Sequence, residues 1–544
     1  MKRRIGISGL ALVVVLSGML VGCGSQQPTA TVAAPAPTAV PATTSAAPAP
    51  TDAAPAPTSA PTTAPVDTPK SGGTVTILVK QLPPSMGNLK ASAPIPDYLF
   101  PVVETLVGVT SEGLAPTKLA TGWKIAEDGS SITFELRKGV KFHDGTDFNA
   151  EAVKWNVDVI RDQSAELKVI TSIDVVDEYT VRFNLSEYSN SLLVHMSWKN
   201  GMMISPASVE GRSDEYVATH LIGTGPFVLE EFQVDTKAVF KKFADYWDEG
   251  KPYLDGMEYL VAADQNTART AFLSGEAQMW DYLDARNAPD LKAAGHKVNT
   301  CPGLARVMQP DSVNPDSPLA KKKVRWALEH AIDKRAIADA FGYGTWSATV
   351  GPCASIHLGC PVAEENARNF DPKKAKELLA EAGYPDGFKM TIYSVRSIDD
   401  ELLIAIQAYL ANVGIDAEVQ KPDSATLSSL RREGWQNGVL LQGLTTDSPS
   451  YVTALQIDGP HKLNASSTLV PAEYKDRLAK VAAARDAATE KKLSEELVRY
   501  VQEEAIFIPV VVESRNCAYH SQVHTDLEAY SIHFWNPADT WIEQ

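Results

Sequence analysis

The chain has little of what usually marks a metalloprotein or an enzyme at the level of local sequence. It contains ten histidines, and they give no metal-ligand spacing. Cysteine is scarce, five residues in all, and no Cys-x-x-Cys is present, which excludes the common zinc patterns. Gly-x-Ser-x-Gly, Ser-x-x-Lys, His-Glu-x-x-His and a dinucleotide-type glycine pattern are missing. A catalytic triad needs no local motif, so this absence weighs against signature-bearing enzymes only. Positive charge is also in deficit, with a formal net charge of −17. That argues against nucleic acid or an anionic lipid surface as partners and mildly favours a cationic or zwitterionic ligand, although acidity also serves solubility. Past residue 22 no run is apolar enough to span a bilayer. No repeat of about 20–50 residues is visible.

What is present begins at the N-terminus. Lys2, Arg3 and Arg4 precede a mostly apolar run from Ile5 to Gly22. A positive start, a short apolar stretch and small residues before a cleavage point predict a secretory signal. The alternative is a retained helix, but the run of about 18 residues is near the lower limit for spanning and is diluted by Ser8, Gly9, Ser17 and Gly18. Leu20-Val21-Gly22-Cys23 resembles a bacterial lipobox, which implies cleavage after residue 22 and acylation of the Cys23 thiol. Loss of the three basic residues takes the charge from −17 to −20. Residues 23–70 are then the lipidated cysteine and a tether rich in Ala, Pro and Thr. Without large apolar side chains that stretch cannot build a core, and its prolines favour extended polyproline II segments.

The remaining body, 71–544, is longer than one core usually serves, so two or three domains are expected. Ile132, Phe134 and Leu136 alternate with polar residues as in a half-buried strand, and Val181, Phe183 and Leu185 repeat the pattern. Asn149 is placed to cap a helix whose Val153, Val157 and Ile160 share a face. Val324, Ala327, Leu328 and Ala331 follow helical spacing. Asp371 and Pro372 read as N-cap and first helical residue, with Gly383 as the left-handed cap at the far end. A further helix over Leu402–Val413 ends at Gly414, and a strand follows. Mixed strands and helices throughout predict an α/β fold.

Four cysteines remain beyond Cys23, and four allow three pairings. Cys353 and Cys360 flank a short loop-like stretch, so a bridge there is expected, leaving Cys301 with Cys517 as the second pair. Four buried thiols are the alternative.

Several segments carry a family resemblance. Leu119-Ala120-Thr121-Gly122-Trp123 leads to Phe134-Glu135-Leu136-Arg137-Lys138-Gly139 and then Phe142-His143-Asp144-Gly145. Asp177-Glu178-Tyr179-Thr180-Val181, Gly223-Thr224-Gly225-Pro226-Phe227 and Asp245-Tyr246-Trp247 follow. Val324-Arg325-Trp326-Ala327-Leu328, Gly383-Tyr384-Pro385-Asp386-Gly387-Phe388 and Ala505–Pro509 complete the series. In this order they resemble the peptide/nickel-binding solute-binding proteins of ABC importers, bacterial extracellular solute-binding family 5. The resemblance covers essentially all of 73–544.

It implies a two-lobed clamshell, the large three-subdomain form of the type II periplasmic-binding-protein fold, with mixed sheets and a hinge. Lobe I would comprise 71–110, 223–305 and 515–544, with an inserted subdomain at 111–222, and lobe II would be 306–514. The implied function is an extracytoplasmic receptor, a monomer anchored to the outer face of the cell membrane. It would bind a small solute between its lobes and pass it to permease subunits, with no catalytic residue, metal or cofactor. A di- or oligopeptide is the first expectation, ahead of a nickel chelate, an oligosaccharide or an opine. A secreted hydrolase and an adhesive lipoprotein are the rival classes.

Leu444-Thr445-Thr446-Asp447-Ser448-Pro449 resembles the family segment whose carboxylate meets a peptide's α-ammonium. Asp447 is therefore the first ligand candidate, with an ordinary loop or N-cap role as the alternative. Leu444 stands where peptide-binding members commonly have Trp. Trp435, Tyr451, Trp346 and Tyr343 are candidate cleft aromatics or core residues. Asn88 and Met86 fall where the family's cleft floor begins. Read from the residues alone, Asp144 shapes a turn and His143 packs or caps. Gly223 to Pro226 is a tight interdomain turn, and Arg325 makes a structural ion pair.

Overall fold

Local signals set the ends of the elements in the computed structural model, which describes residues 68–87, 98–110, 113–162, 164, 167–349, 351, 368–445, 466–526 and 535–543. Strand β1 spans Thr74–Val79. Four antiparallel strands follow: β2 (Ala120–Ile125), β3 (Ser131–Leu136), β4 (Ile170–Asp177) and β5 (Thr180–Leu185), arranged β2-β3-β5-β4. Between β3 and β4 lies α1 (Ala150–Arg161). Asn149 Oδ1 accepts the Ala152 amide at 3.0 Å, and Val153, Val157 and Ile160 are buried.

Next come β6 (Phe227–Gln233), β7 (Lys237–Lys242), β8 (Gly256–Val261), β9 (Met279–Leu283) and the long β10 (Lys297–Pro310). Helices α2 (Lys322–Ala331), α3 (Lys334–Gly342) and α4 (Pro372–Glu381) lead to β11 (Phe388–Ser394). Asp371 caps α4 through the Lys374 amide, and Gly383 follows it at φ +92°, the left-handed region that glycine adopts without a steric penalty. Then α5 (Asp400–Ala411) precedes β12 (Ile415–Gln420), β13 (Gly438–Thr445) and a second long strand, β14 (Ile508–Tyr519).

Ten strands join in a single sheet, ordered β6-β7-β8-β1-β9-β14-β10-β13-β11-β12. Two cores lie along it. The first packs Val75, Phe240 and Met257 of this sheet with Phe134, Val181 and Phe183 of the four-stranded one. The second packs Leu328, Leu379, Ile406 and Leu410 of the helices against Ile392 and Val439. Among the described residues β14 contributes to both, with β10 paired alongside it. Cys517 and Tyr519 belong to the first core, while Met308, Ile508 and Val510 belong to the second. The fold is therefore two-lobed, and its lobes share a sheet. Among the described residues no helix is long and apolar enough to cross a membrane.

Four of the quoted motifs meet at one place in the first lobe. Glu104 is 2% exposed. It accepts from Tyr246 Oη at 2.9 Å, Trp247 Nε1 at 2.8 Å and Thr224 Oγ1 at 3.1 Å. Arg137 lies 4.0 Å over the Trp247 ring. His143 Nε2 bonds the Gly225 carbonyl at 2.9 Å, while Asp144 is held by Thr146 and Ser205. The turn at Gly223 and Gly225 lies against backbone: a Cβ on Gly225 would fall 2.7 Å from the Pro101 oxygen, and one on Gly223 would fall 2.1 Å from the Val102 oxygen. Close approach of the backbone requires these glycines.

In the second lobe Arg325 makes no ion pair among the described residues, unlike the expectation for it. Its guanidinium instead donates to the carbonyls of Ala505, Leu319, Ala320 and Glu504. A buried guanidinium has five donors to satisfy, and the loop ends around it offer unpaired carbonyls. The nearby ionic group centres on Glu329, which pairs with Arg368 at 3.1 Å and Lys334 at 3.6 Å.

Two predictions follow from the first-lobe hub. Gly225→Ala forces the turn away from Pro101 and Val102, so chemical denaturation should show a loss of about 2–3 kcal/mol. His143 Nδ1 is sealed and has no hydrogen-bond partner among the described residues, and burial lowers the ring's pKa from 6.5 to about 4. A lowered folded-state pKa means that the unfolded chain binds the extra proton first. Stability contributed by the neutral ring is full above pH 6.5 and is lost as pH falls toward 4, by up to about 3 kcal/mol. The unfolding free energy of His143→Gln, compared with that of the parent protein between pH 7 and 4.5, should lack this slope.

Candidate functional site

The cleft forms where β9, α3, α5 and β14 converge. β9 ends in a bulge against β14, between the Trp280–Ala518 and Leu283–Asn516 pairs, and Tyr282 sits there at φ 57°. The chain then turns through Asp284, whose side chain accepts from the Arg286 amide. On the other side α3 stops at Tyr343, in a left-handed conformation with φ 48°. Trp346 follows and packs over Gly342, where a Cβ would lie 2.3 Å from the Trp346 Cβ. Helix α5 opens at Asp399, whose side chain makes no capping bond. The floor is β14, from Glu513 to Asn516. Together these residues bound a cavity of about 340 Å³, walled by Phe341, Tyr343 and Trp346 on the second-lobe side and by Leu283 to Arg286 on the first-lobe side. That is at the small end of the range for solute pockets.

The floor is where the shared strands are least regular. The β10–β14 register shifts between Pro302 and Ala305, so two residues of β10 face one of β14. Arg306 holds Glu513 with two bonds of 2.6 Å. Arg515 lies 4.0 Å over the Tyr282 ring and 3.1 Å from Asp281. These pairs straddle the crossing: Arg306 and Glu513 border the second lobe, and Asp281 and Tyr282 belong to β9 of the first. Ser514 Oγ lies 2.8 Å from Thr345 Oγ1, which donates to the Gly342 carbonyl at 2.7 Å. Arg286 is held further on its charged side by its bond to Asp284 and by the fields of Asp284 and then Asp399. Among the described residues no group of three or more His, Cys, Asp or Glu could hold a metal ion. The arrangement offers hydrogen-bond acceptors, an aromatic wall and a bendable floor.

The residues expected at the site are dispersed. Trp346 and Tyr343 line the cleft. Trp435 does not: it is 2% exposed and packs against Leu427 and Leu440 in a side core, because its turn is pinned there by Ser467 Oγ on the Trp435 amide. Met86 is 1% exposed and belongs to the first core, and Leu444 packs with Val307 and Tyr474. Asp447, Tyr451 and Asn88 lie outside the described residues, as do Cys23, Cys353 and Cys360.

Cys301 and Cys517 are buried thiols, not a disulfide, which corrects the expected second pair. The ladder sets Cys301 opposite Arg515 and Cys517 opposite Asn299. A diagonal pair on neighbouring strands is about 7–8 Å apart, beyond ordinary disulfide reach. Burial raises both thiol pKa values.

The sequence reading missed Asp399, Glu401, Glu513 and Asn516. Asp399-Asp400-Glu401 reads locally as an ordinary helix start, and the other two sit inside a strand. Only the unused capping role of Asp399 separates it from a common N-cap.

Comparison with known proteins matches this geometry. A model of the bacterial extracellular solute-binding proteins, family 5 (middle region) matches residues 116–459. The "Glutathione-binding protein GsiB" of Escherichia coli O1:K1 / APEC is 34% identical over 330 residues, which cover 59% of this chain and 63% of the relative. The chain thus spans 63% of the length of the curated relatives that it matches. Among solved structures, AgaA of A. tumefaciens R10, in complex with agropinic acid, superposes with TM-score 0.69 at 25% identity, over 87% of this chain and 99% of that one. The periplasmic binding protein DppA of Helicobacter pylori, in complex with the peptide STSA, gives TM-score 0.71 at 22% identity, with coverages of 87% and 99%. The last two likenesses extend the fold to nearly their whole chains, and the family match covers more than half of this one: the chain belongs to the bacterial extracellular solute-binding proteins, family 5.

Proposed function

We propose that this chain is the extracytoplasmic receptor of an ABC importer, which binds a small solute between its lobes and delivers it to the permease. One observation carries the reading: the cavity of about 340 Å³ is bounded by both lobes and floored by a strand common to both. A solute there touches both sides only when they approach, so occupancy shifts the population toward the closed state without a reaction. The glutathione-binding relatives and the peptide-bound fold neighbour make a di- or oligopeptide the first choice. The neighbour bound to agropinic acid supports a non-peptide solute as the second.

In this reading Trp346 lines the ligand, and Asp447, Tyr451 and Asn88 complete its contacts. Lobe I comprises 71–110, 223–305 and 515–544 with the insertion at 111–222, and lobe II is 306–514. The signal at 1–22 is removed, Cys23 carries the lipid that anchors the protein outside the cell membrane, and 23–70 is the tether. Cys353 and Cys360 form a bridge. The protein acts as a monomer, is not an enzyme and needs no cofactor.

Native mass spectrometry of the protein purified without denaturation tests this. Adducts differing by amino-acid residue masses, together with a smaller radius of gyration in the adduct-bearing fraction, are the expected result. A single non-peptide mass would replace the peptide by another solute. Turnover of the bound solute by pure protein, or no adduct and no compaction with any of a broad solute panel, would overturn the receptor reading.

A further inference from the structure

The polar groups of the cleft are out of balance in one direction. Each arginine at its floor or rim is already held by a carboxylate: Arg306 by Glu513 at 2.6 Å, Arg515 by Asp281 at 3.1 Å and Arg286 by Asp284 at 3.1 Å. Asp399, whose field reaches Arg286 without an ion-pair contact, and Glu401 line the same cavity, and neither has an ion-pair partner among the described residues. Acidic residues at the first turn of a helix usually serve as caps, yet Asp399 makes no capping bond with its side chain. The neighbouring Asp400 is the one engaged, by Lys421 at 2.5 Å.

A second observation is independent of these acids. Asn516 is 2% exposed and lines the cavity. Its amide nitrogen lies 3.5 Å from Thr345 Oγ1. The Thr345 hydroxyl proton goes to the Gly342 carbonyl, so its oxygen accepts, which fixes which end of the Asn516 amide faces it. Asn516 Oδ1 is left buried and without a hydrogen-bond partner among the described residues. A buried orphan acceptor at the wall of a solute cavity calls for a donor from the solute. Phe341, Tyr343 and Trp346 add aromatic faces, which attract cations.

We propose that this cleft selects solutes of net positive charge, whose side-chain or additional ammonium or guanidinium group Asp399 and Glu401 take up while Asn516 Oδ1 accepts an N–H of the bound solute. The proposal rests on the receptor reading and narrows its substrate class. It also sets the chain apart from its glutathione-binding relatives. Glutathione is an anionic tripeptide, and the described cleft offers no arginine that is not already engaged by a carboxylate.

Isothermal titration of the full chain, stripped of endogenous solute, with Lys-Ala, Ala-Ala, Glu-Ala, glutathione and spermidine tests this. Lys-Ala or spermidine should bind about tenfold or more tighter than any anionic member, with the preference shrinking at high salt. The double variant Asp399→Asn/Glu401→Gln, at two exposed positions, should lose that preference with an unchanged unfolding midpoint. Asn516→Leu should weaken every binder alike. Equal or tighter binding of Glu-Ala or glutathione, or a preference that survives the double variant, would overturn the charge selection and leave the receptor standing. If none of the five bound while native mass spectrometry showed another solute in the cleft, the charge selection alone would be overturned. If that spectrum too showed nothing and a broad panel produced no compaction, the receptor reading would fall with it.

Discussion

A carboxylate shut away from water has to be satisfied by its neighbours, and in the first lobe that demand organises the chain. Glu104 draws a hydroxyl from the Gly-Thr-Gly-Pro turn and donors from Tyr246 and Trp247, residues that lie more than a hundred positions away in sequence. Trp247 in turn receives Arg137, and the same turn receives His143. Removing one partner would leave a buried charge with too few donors, which costs far more than the bond itself contributes. This accounts for four of the short motifs together. They are contacts of one hub, which ties the four-stranded sheet to the large one.

From that anchored lobe the large sheet continues into the second. The cleft lies where the sheet is most irregular: at the β9 bulge, at the register shift before Ala305, and beside two arginine–carboxylate pairs that hold the strands together there. Structure and site share the same residues. Glu513 is both floor of the cavity and partner of Arg306, and Asn516 is both a rung of the ladder and an open acceptor. Aromatic side chains come from the end of α3, where Tyr343 holds a left-handed cap, so the wall's position depends on how that helix stops.

Elements were legible in the sequence where the signal was local. Asn149 and Asp371 cap their helices through the amides three residues on, and Gly383 and Gly414 take the positive φ expected of them. The family could be read because its motifs keep their order, although nothing in the sequence showed that they meet at Glu104. Arg325 was misread because a guanidinium among carbonyls has the same sequence neighbourhood as one beside an acid. Trp435 stayed open between two readings for a similar reason: an aromatic after a glycine fits a cleft wall as well as a core. The cleft's carboxylates and Asn516 were invisible because a site assembled from four distant segments has no period, spacing or composition of its own.

The sheet shared by the lobes has a mechanical consequence. Domains joined by loops can swivel in many directions, and closing them forfeits that freedom. Two antiparallel strands bonded along their length act more like a leaf spring: they flex readily across their plane and resist shear and rotation within it. A floor of this kind would confine the motion of the proposed receptor largely to the closing path. In the proposed receptor less orientational entropy would be surrendered when a solute is enclosed, so a modest set of contacts would give tight capture. The spring would also return the lobes to their starting distance once the solute has gone.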